Sequence, residues 1–149
     1  MADFDRRAGA ILGTDNIYKW EFIHGAKAFW AKLDAVPDFF EGMHMKHDAY
    51  QLWYAIQKLP ITVLTALPKT GADEVDRQKR AWVAKNLGAT VEVITCQTED
   101  KPRFCEPGSI LIDDRAVNRA QWIANGGVFI LHTDGDVTVK VLRSMGVID

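Results

Sequence analysis

The chain has 149 residues, 48% of them hydrophobic and 26% charged, with a formal net charge of -2. That is enough for one domain with its own core, in the composition range of ordinary soluble globular proteins. It leaves no electrostatic footprint for nucleic acid or an anionic membrane surface, and no apolar run approaches the roughly 20 residues that span a bilayer. Cys96 and Cys105 lack a C-x-x-C spacing and paired histidines. They read as reduced thiols rather than a disulfide framework or a zinc site. Met1-Ala2-Asp3-Phe4-Asp5-Arg6-Arg7 has early acids and no apolar signal-peptide core, so a cytoplasmic location is expected.

Residues 1–14 are short and mixed, with Gly9 and Gly13 in an otherwise helix-compatible stretch. From Ile17 to Leu33, Trp20, Phe22, Ile23, Ala26, Phe29, Trp30 and Leu33 recur at helical spacing, with Gly25 as a break. Pro37-Asp38 and Gly42 mark turns, and Asp48 to Leu59 predicts a second amphipathic helix ended by Pro60. The pattern then changes. Ile61–Thr65 and Val91–Thr95 predict strands, separated by a loop over 66–71 and a helix over Asp73–Leu87 with Gly88 behind it. Residues 96–108 form a long connection. A strand through Ile110-Leu111-Ile112, a helix over Ala116–Ala124 stopped by Asn125-Gly126-Gly127, a strand over Val128–Leu131 and a helix over Val137–Met145 complete the chain. Strands alternating with helices predict an α/β fold: a parallel sheet flanked by helices.

The stretch Ile110-Leu111-Ile112-Asp113-Asp114-Arg115 concentrates the chemistry. Three aliphatic residues read as a buried parallel strand, and ligands of open α/β sheets bind at the carboxyl ends of strands. Two adjacent carboxylates there either turn the chain and cap the next helix or share a cation; hard oxygen ligands suit magnesium. Thr65 alone reads equally as a β-branched strand residue, and Lys79 alone as a solvated helix lysine. His24, His44, His47 and His132 have no ligand spacing and are assigned surface or packing roles, while Trp82 and Trp122 are assigned to the core.

Together, Leu64-Thr65-Ala66, Gln78-Lys79-Arg80-Ala81-Trp82-Val83, the Ile110–Arg115 stretch, Asn118, Trp122 and Gly126-Gly127 resemble the haloacid dehalogenase (HAD) superfamily. Within it they are most similar to the 5′(3′)-deoxyribonucleotidases and their phage relatives. The resemblance implies a HAD-like core over about 1–14 and 59–149, with a small helical cap inserted at about 15–58. It implies a magnesium-dependent phosphomonoesterase working through an aspartyl-phosphate, whose substrate is a small phosphate ester such as a (deoxy)nucleoside monophosphate. By position, Thr65 would hydrogen-bond a phosphate oxygen, Lys79 would offset charge, and Asp113 and Asp114 would hold the metal. Lys101 would be a second basic contact. Phe4, Phe29 and Trp30 match aromatics that stack on the base, although an aromatic stripe at helical spacing also reads as core. A homodimer is compatible with this reading.

One part of the family pattern is expected to be missing. The D-x-D-G motif carrying the nucleophile and the acid/base Asp would fall just before residue 1, together with the central first strand. Asp3-Phe4-Asp5 is itself a D-x-D, but only two residues precede it and no glycine follows. The chain as given is therefore expected to be inactive or impaired, with weakened magnesium affinity and a gap at mid-sheet. An upstream start, a truncation, and a non-catalytic nucleotide- or protein-binding relative each account for this.

Overall fold

In the computed structural model, which describes residues 1–149, the aromatic-rich first part of the chain is helical. α1 (Phe4–Leu12) covers a segment that the sequence pattern left mixed; Asp3 caps it by accepting from Arg6 N, and Gly13 closes it in the left-handed conformation. Gly9 inside α1 has a packing reason, since a Cβ there would lie 2.7 Å from the Thr14 carbonyl oxygen. The break expected at Gly25 separates α2 (Ile17–His24) from α3 (Ala26–Asp34), and α4 (His47–Ile56) follows the turn at Pro37-Asp38. The second part alternates: β1 (Thr62–Ala66), α5 (Ala72–Asn86), β2 (Glu92–Cys96), β3 (Ile110–Asp113), α6 (Arg119–Ala124), β4 (Val128–Leu131) and α7 (Gly135–Ser144). The connection over 96–108 holds a 3₁₀ helix, Thr98–Phe104, and a second one, Ala116–Asn118, leads into α6.

All four strands pair in parallel, as alternation with helices requires, but they do not form one sheet. β1 pairs with β2, bringing Thr65 opposite Thr95, and β3 pairs with β4, bringing Asp113 opposite Leu131. No backbone hydrogen bond joins the two pairs. The parallel sheet expected from the sequence, with its gap at the middle, stands as two two-stranded parallel sheets in a mixed α/β chain. What holds them together is side-chain packing.

Three apolar clusters do this. The largest joins α1, α3, α5 and the 39–45 segment through Ala8, Phe29, Leu33, Phe39, Met43, Trp82 and Val83. Trp82 satisfies its buried indole N–H on the Met43 carbonyl at 2.8 Å. A second cluster packs Leu52 and Ile56 of α4 against Ile130 of β4 and Val139 and Leu142 of α7, with Ile61, Ile110 and Ile112 at its margin. A third unites Leu111, Trp122 and Phe129, with Leu64 of β1 against it. Trp82 and Trp122 are core residues, 6% and 3% exposed. The helical part therefore shares its cores with the strands. α4 lies so close to α7 that a Cβ on Gly135 would sit 2.0 Å from the Asp48 carbonyl oxygen, and Gly135 N donates to Asp48 Oδ2 at 3.2 Å. Replacing Gly135 by Ala must push the two helices apart, and urea denaturation should show a loss of about 3 kcal/mol.

Candidate functional site

The carboxyl ends of β1 and β3 bring the sequence-predicted residues together as two pairs, Thr65 with Lys79 and Lys101 with Asp113, and Asp114 follows Asp113. Thr65 is the penultimate residue of β1, and Lys79 reaches it from about two turns inside α5. The Lys79 ammonium donates to Thr65 Oγ1 at 3.2 Å and to the Ala66 carbonyl oxygen. Lys101, presented by the 3₁₀ helix after β2, donates to Asp113 Oδ2 at 2.7 Å. This is a buried ion pair, with side chains 13% and 7% exposed. Asp113 Oδ1 accepts from Arg115 N at 3.0 Å, which is the turn role expected of an Asp after a strand. Asp114 is exposed beside it.

The charges at this end are unequal. Two ammonium groups face one buried carboxylate. Burial, and then the neighbouring Lys101, push the Lys79 ammonium down to about 8. Burial alone would raise Asp113, but the hydrogen bonds from Lys101 and Arg115 N hold its carboxyl below the usual value. Burial likewise lowers the α-amino group of Met1, which lies in the opposing field of Asp114. Lys79 is thus the ammonium of this end whose hydrogen-bond acceptors, a hydroxyl and a carbonyl oxygen, are both neutral.

The predicted aromatics lie elsewhere. Phe29 is 3% exposed within the largest core cluster, so it has no free face for a base; its assignment as a stacking residue is corrected to core. Phe4 is partly buried against Phe29 at 6.5 Å and Trp30 at 6.0 Å, and Trp30 is 44% exposed. None of the three touches Lys79. The aromatic that does is Phe40, whose ring centroid is 5.3 Å from the Lys79 ammonium. Phe40 connects back to Phe4 through Phe39, at 5.1 and 5.5 Å between centroids. It went unnoticed in the sequence because Pro37-Asp38 marks it as part of a turn. Its signal is three-dimensional: Gln78, one residue before Lys79, accepts from Phe40 N at 2.8 Å and pins the ring there.

The residues fit a divalent cation only in part. Magnesium takes one or two protein carboxylates with waters and phosphate. Both oxygens of Asp113 are engaged, however, and Lys101 already supplies the positive charge. No group of three or more His, Cys, Asp or Glu residues converges anywhere in the chain. Asp114 is the carboxylate free to take a cation; Asp113 becomes available only when Lys101 moves. Of the histidines, His132 has the most structured place, with Nδ1 on Thr138 Oγ1 at 2.8 Å and Nε2 3.7 Å from Asp48. Because Thr138 donates its own proton to the Asp134 carbonyl, His132 Nδ1 is the donor of that pair. Cys96 and Cys105 are free thiols, and no helix is long and apolar enough to cross a membrane.

Comparisons with protein-family models, with curated proteins and with solved structures each return no match. The reading of the site rests on its own geometry.

The Lys79 environment makes a stability prediction. Its folded-state value lies below the ordinary 10.5, so the cost of burying the charged amine is fully present below pH 8 and is relieved as pH rises from 8 toward 10.5. Lys79→Met should therefore stabilise the fold most below pH 8, with the gain shrinking across that window. Thermal denaturation of both proteins between pH 6 and 10.5 measures this.

Proposed function

We propose that the strand-end cluster is a phosphate-ester site of the HAD type, and that its ligand is a small phosphomonoester such as a (deoxy)nucleoside monophosphate. The observation that carries this reading is the Lys79–Thr65 contact at the carboxyl end of a parallel strand, with the Lys101–Asp113 pair beside it. Here Lys79 has neutral acceptors only, which a phosphate oxygen can replace with a charge-assisted bond. The Thr65 hydroxyl is placed to donate to a second oxygen. Phe40 offers a flat, half-exposed face next to the ammonium, which suits a nucleobase better than the buried Phe29 does. The split between the two strand pairs agrees with a HAD-like sheet that lacks its central strand.

Hydrolysis through an aspartyl-phosphate needs a carboxylate free to attack beside Lys79, and no carboxylate of this chain makes an ion pair with Lys79. Asp113 is held by Lys101 and the Arg115 amide. The same observation favours a second reading, a binding module that holds the phosphate without cleaving it. Magnesium, which the HAD resemblance implies, would bind through Asp114, with Asp113 joining once Lys101 is displaced; when bound it would neutralise phosphoryl charge.

Calorimetric titration with inorganic phosphate and with deoxynucleoside monophosphates tests the site. Binding should weaken roughly tenfold or more in Lys79→Met, in keeping with loss of a bond to a charged group. It should also fall as pH rises above about 8, where the free amine loses its proton. Full-strength phosphate binding by Lys79→Met would overturn the reading. Magnesium-dependent phosphate release, assayed alongside, separates the two readings: turnover supports the hydrolase and binding alone supports the module. Phe40→Ala should weaken nucleotide binding while leaving inorganic phosphate unaffected.

A further inference from the structure

Lys101 reaches the strand ends from a segment with little stability of its own. That segment, Thr98–Phe104, is a seven-residue 3₁₀ helix with Pro102 inside it. Runs of this length are uncommon for 3₁₀ hydrogen bonding, and the proline removes a donor. Bonds from outside make up the difference. Asn118 Nδ2 donates to the Thr98 carbonyl at 2.9 Å, three residues before Lys101. Asn125 Nδ2 donates to the Pro102 carbonyl at 2.8 Å, one residue after it. Only the NH2 group of each asparagine can serve a carbonyl oxygen, so the orientation of both side chains is fixed. Asn118 is buried, and the two asparagines flank α6, which Trp122 anchors in the third apolar cluster. A cavity of about 420 Å³ lies between the two segments, lined in part by Thr98, Pro102, Asn118 and Asn125. The 3₁₀ helix therefore has room to shift once its outside bonds are lost.

We propose that Asn118 and Asn125 form a two-point clamp that keeps Lys101 on Asp113, and that this clamp sets the affinity of Asp113 and Asp114 for a divalent cation. The Lys101 ammonium lies 2.7 Å from Asp113 Oδ2, in a buried pair, while Oδ1 takes the Arg115 amide. A divalent ion that is to reach Asp113 has to displace this ammonium, and meets its repulsion at close range as long as it stays. Releasing the clamp lets Lys101 withdraw, which frees Oδ2 to join Asp114. Asn118 and Asn125 are thus positioning residues. Their hydrogen bonds go to the backbone on either side of Lys101 and not to the carboxylates. The inference rests on the cation part of the reading above and is independent of its phosphate part.

The test is manganese binding to the full chain, without phosphate or nucleotide, read from the electron paramagnetic resonance signal of the free ion. Asn125→Ala, a change at an exposed residue, should tighten binding about threefold or more, in keeping with the loss of one hydrogen bond that holds the competitor. Asn118→Ala should act in the same direction. General loosening of the fold weakens a site, so a gain in affinity separates the clamp from a merely structural role. Lys101→Gln, which keeps a donor for Asp113 but not the charge, should tighten binding further. Asn125→Ala should then add nothing in the Lys101→Gln background, nor in Asp113→Asn. Unchanged or weaker binding in Asn125→Ala, beside a gain in Lys101→Gln, would overturn the clamp and leave the cation ligands standing. No gain in Lys101→Gln would overturn the displacement of Lys101 and, with it, the place of Asp113 as a cation ligand. A gain from Asn125→Ala that persists in the Lys101→Gln background would assign the effect to the fold, and the proposal would fall.

Discussion

Helix α5 is the element on which the arrangement of the site depends, and it does so through consecutive residues that face different parts of the molecule. An α-helix turns by about 100° per residue. Gln78 accordingly faces the 39–41 segment, where its carbonyl oxygen takes Phe40 N and, at 3.4 Å, Glu41 N. Lys79 faces the end of β1. Arg80 reaches back along β2, donating to the Val93 carbonyl at 3.0 Å and Thr95 Oγ1 at 3.3 Å. Trp82, one turn on from Gln78, closes the largest core. Helical layer, strand pair and candidate site are thus fastened to one another by four residues of one helix. The exposed Arg77, bonded to Asp38, Glu41 and Glu74, adds a surface network to the same junction. Exposed pairs of this kind contribute little singly, so the buried Gln78 and Trp82 matter more.

The buried charges at the strand ends are unequally paired. The whole carries -2, but the cluster around Lys79 and Lys101 has two ammonium groups for one buried carboxylate. Holding an ammonium out of water without a carboxylate partner costs stability, and the same burial pushes the Lys79 ammonium down to about 8. An anion at this point would relieve it.

Much of this was legible in the sequence. The order of helices and strands follows from periodicity and punctuation; Asp113 and Asp114 were drawn from their strand-end position, and Thr65, Lys79 and Lys101 from the resemblance to the HAD superfamily. The misses have physical causes. Gly9 and Gly13 made α1 look broken, because the close approach of Thr14 that Gly9 permits lies outside local propensity. Phe29 was taken for a stacking residue and Phe40 was passed over: helical spacing cannot tell a ring facing the core from one facing a ligand, and a turn residue gives no periodic signal at all. Which strands pair is a long-range property: each strand was individually readable, but its neighbours were not. The Lys101–Asp113 pair was equally hidden, since the loop that presents Lys101 folds into a 3₁₀ helix.

The near-contact between Gly135 and Asp48 carries a mechanical consequence. A helical insertion above a strand-end site suggests a cover that swings on a hinge. Here α4 is seated on α7 at backbone distance, and both helices share the Leu52, Ile130 and Leu142 core. At the other end, α1 and α3 are packed on α5. A rigid rotation of the helical layer would have to open two cores at once. Any opening at the strand ends is therefore carried by side chains, the Lys101–Asp113 pair first among them, and not by a swing of the helical layer.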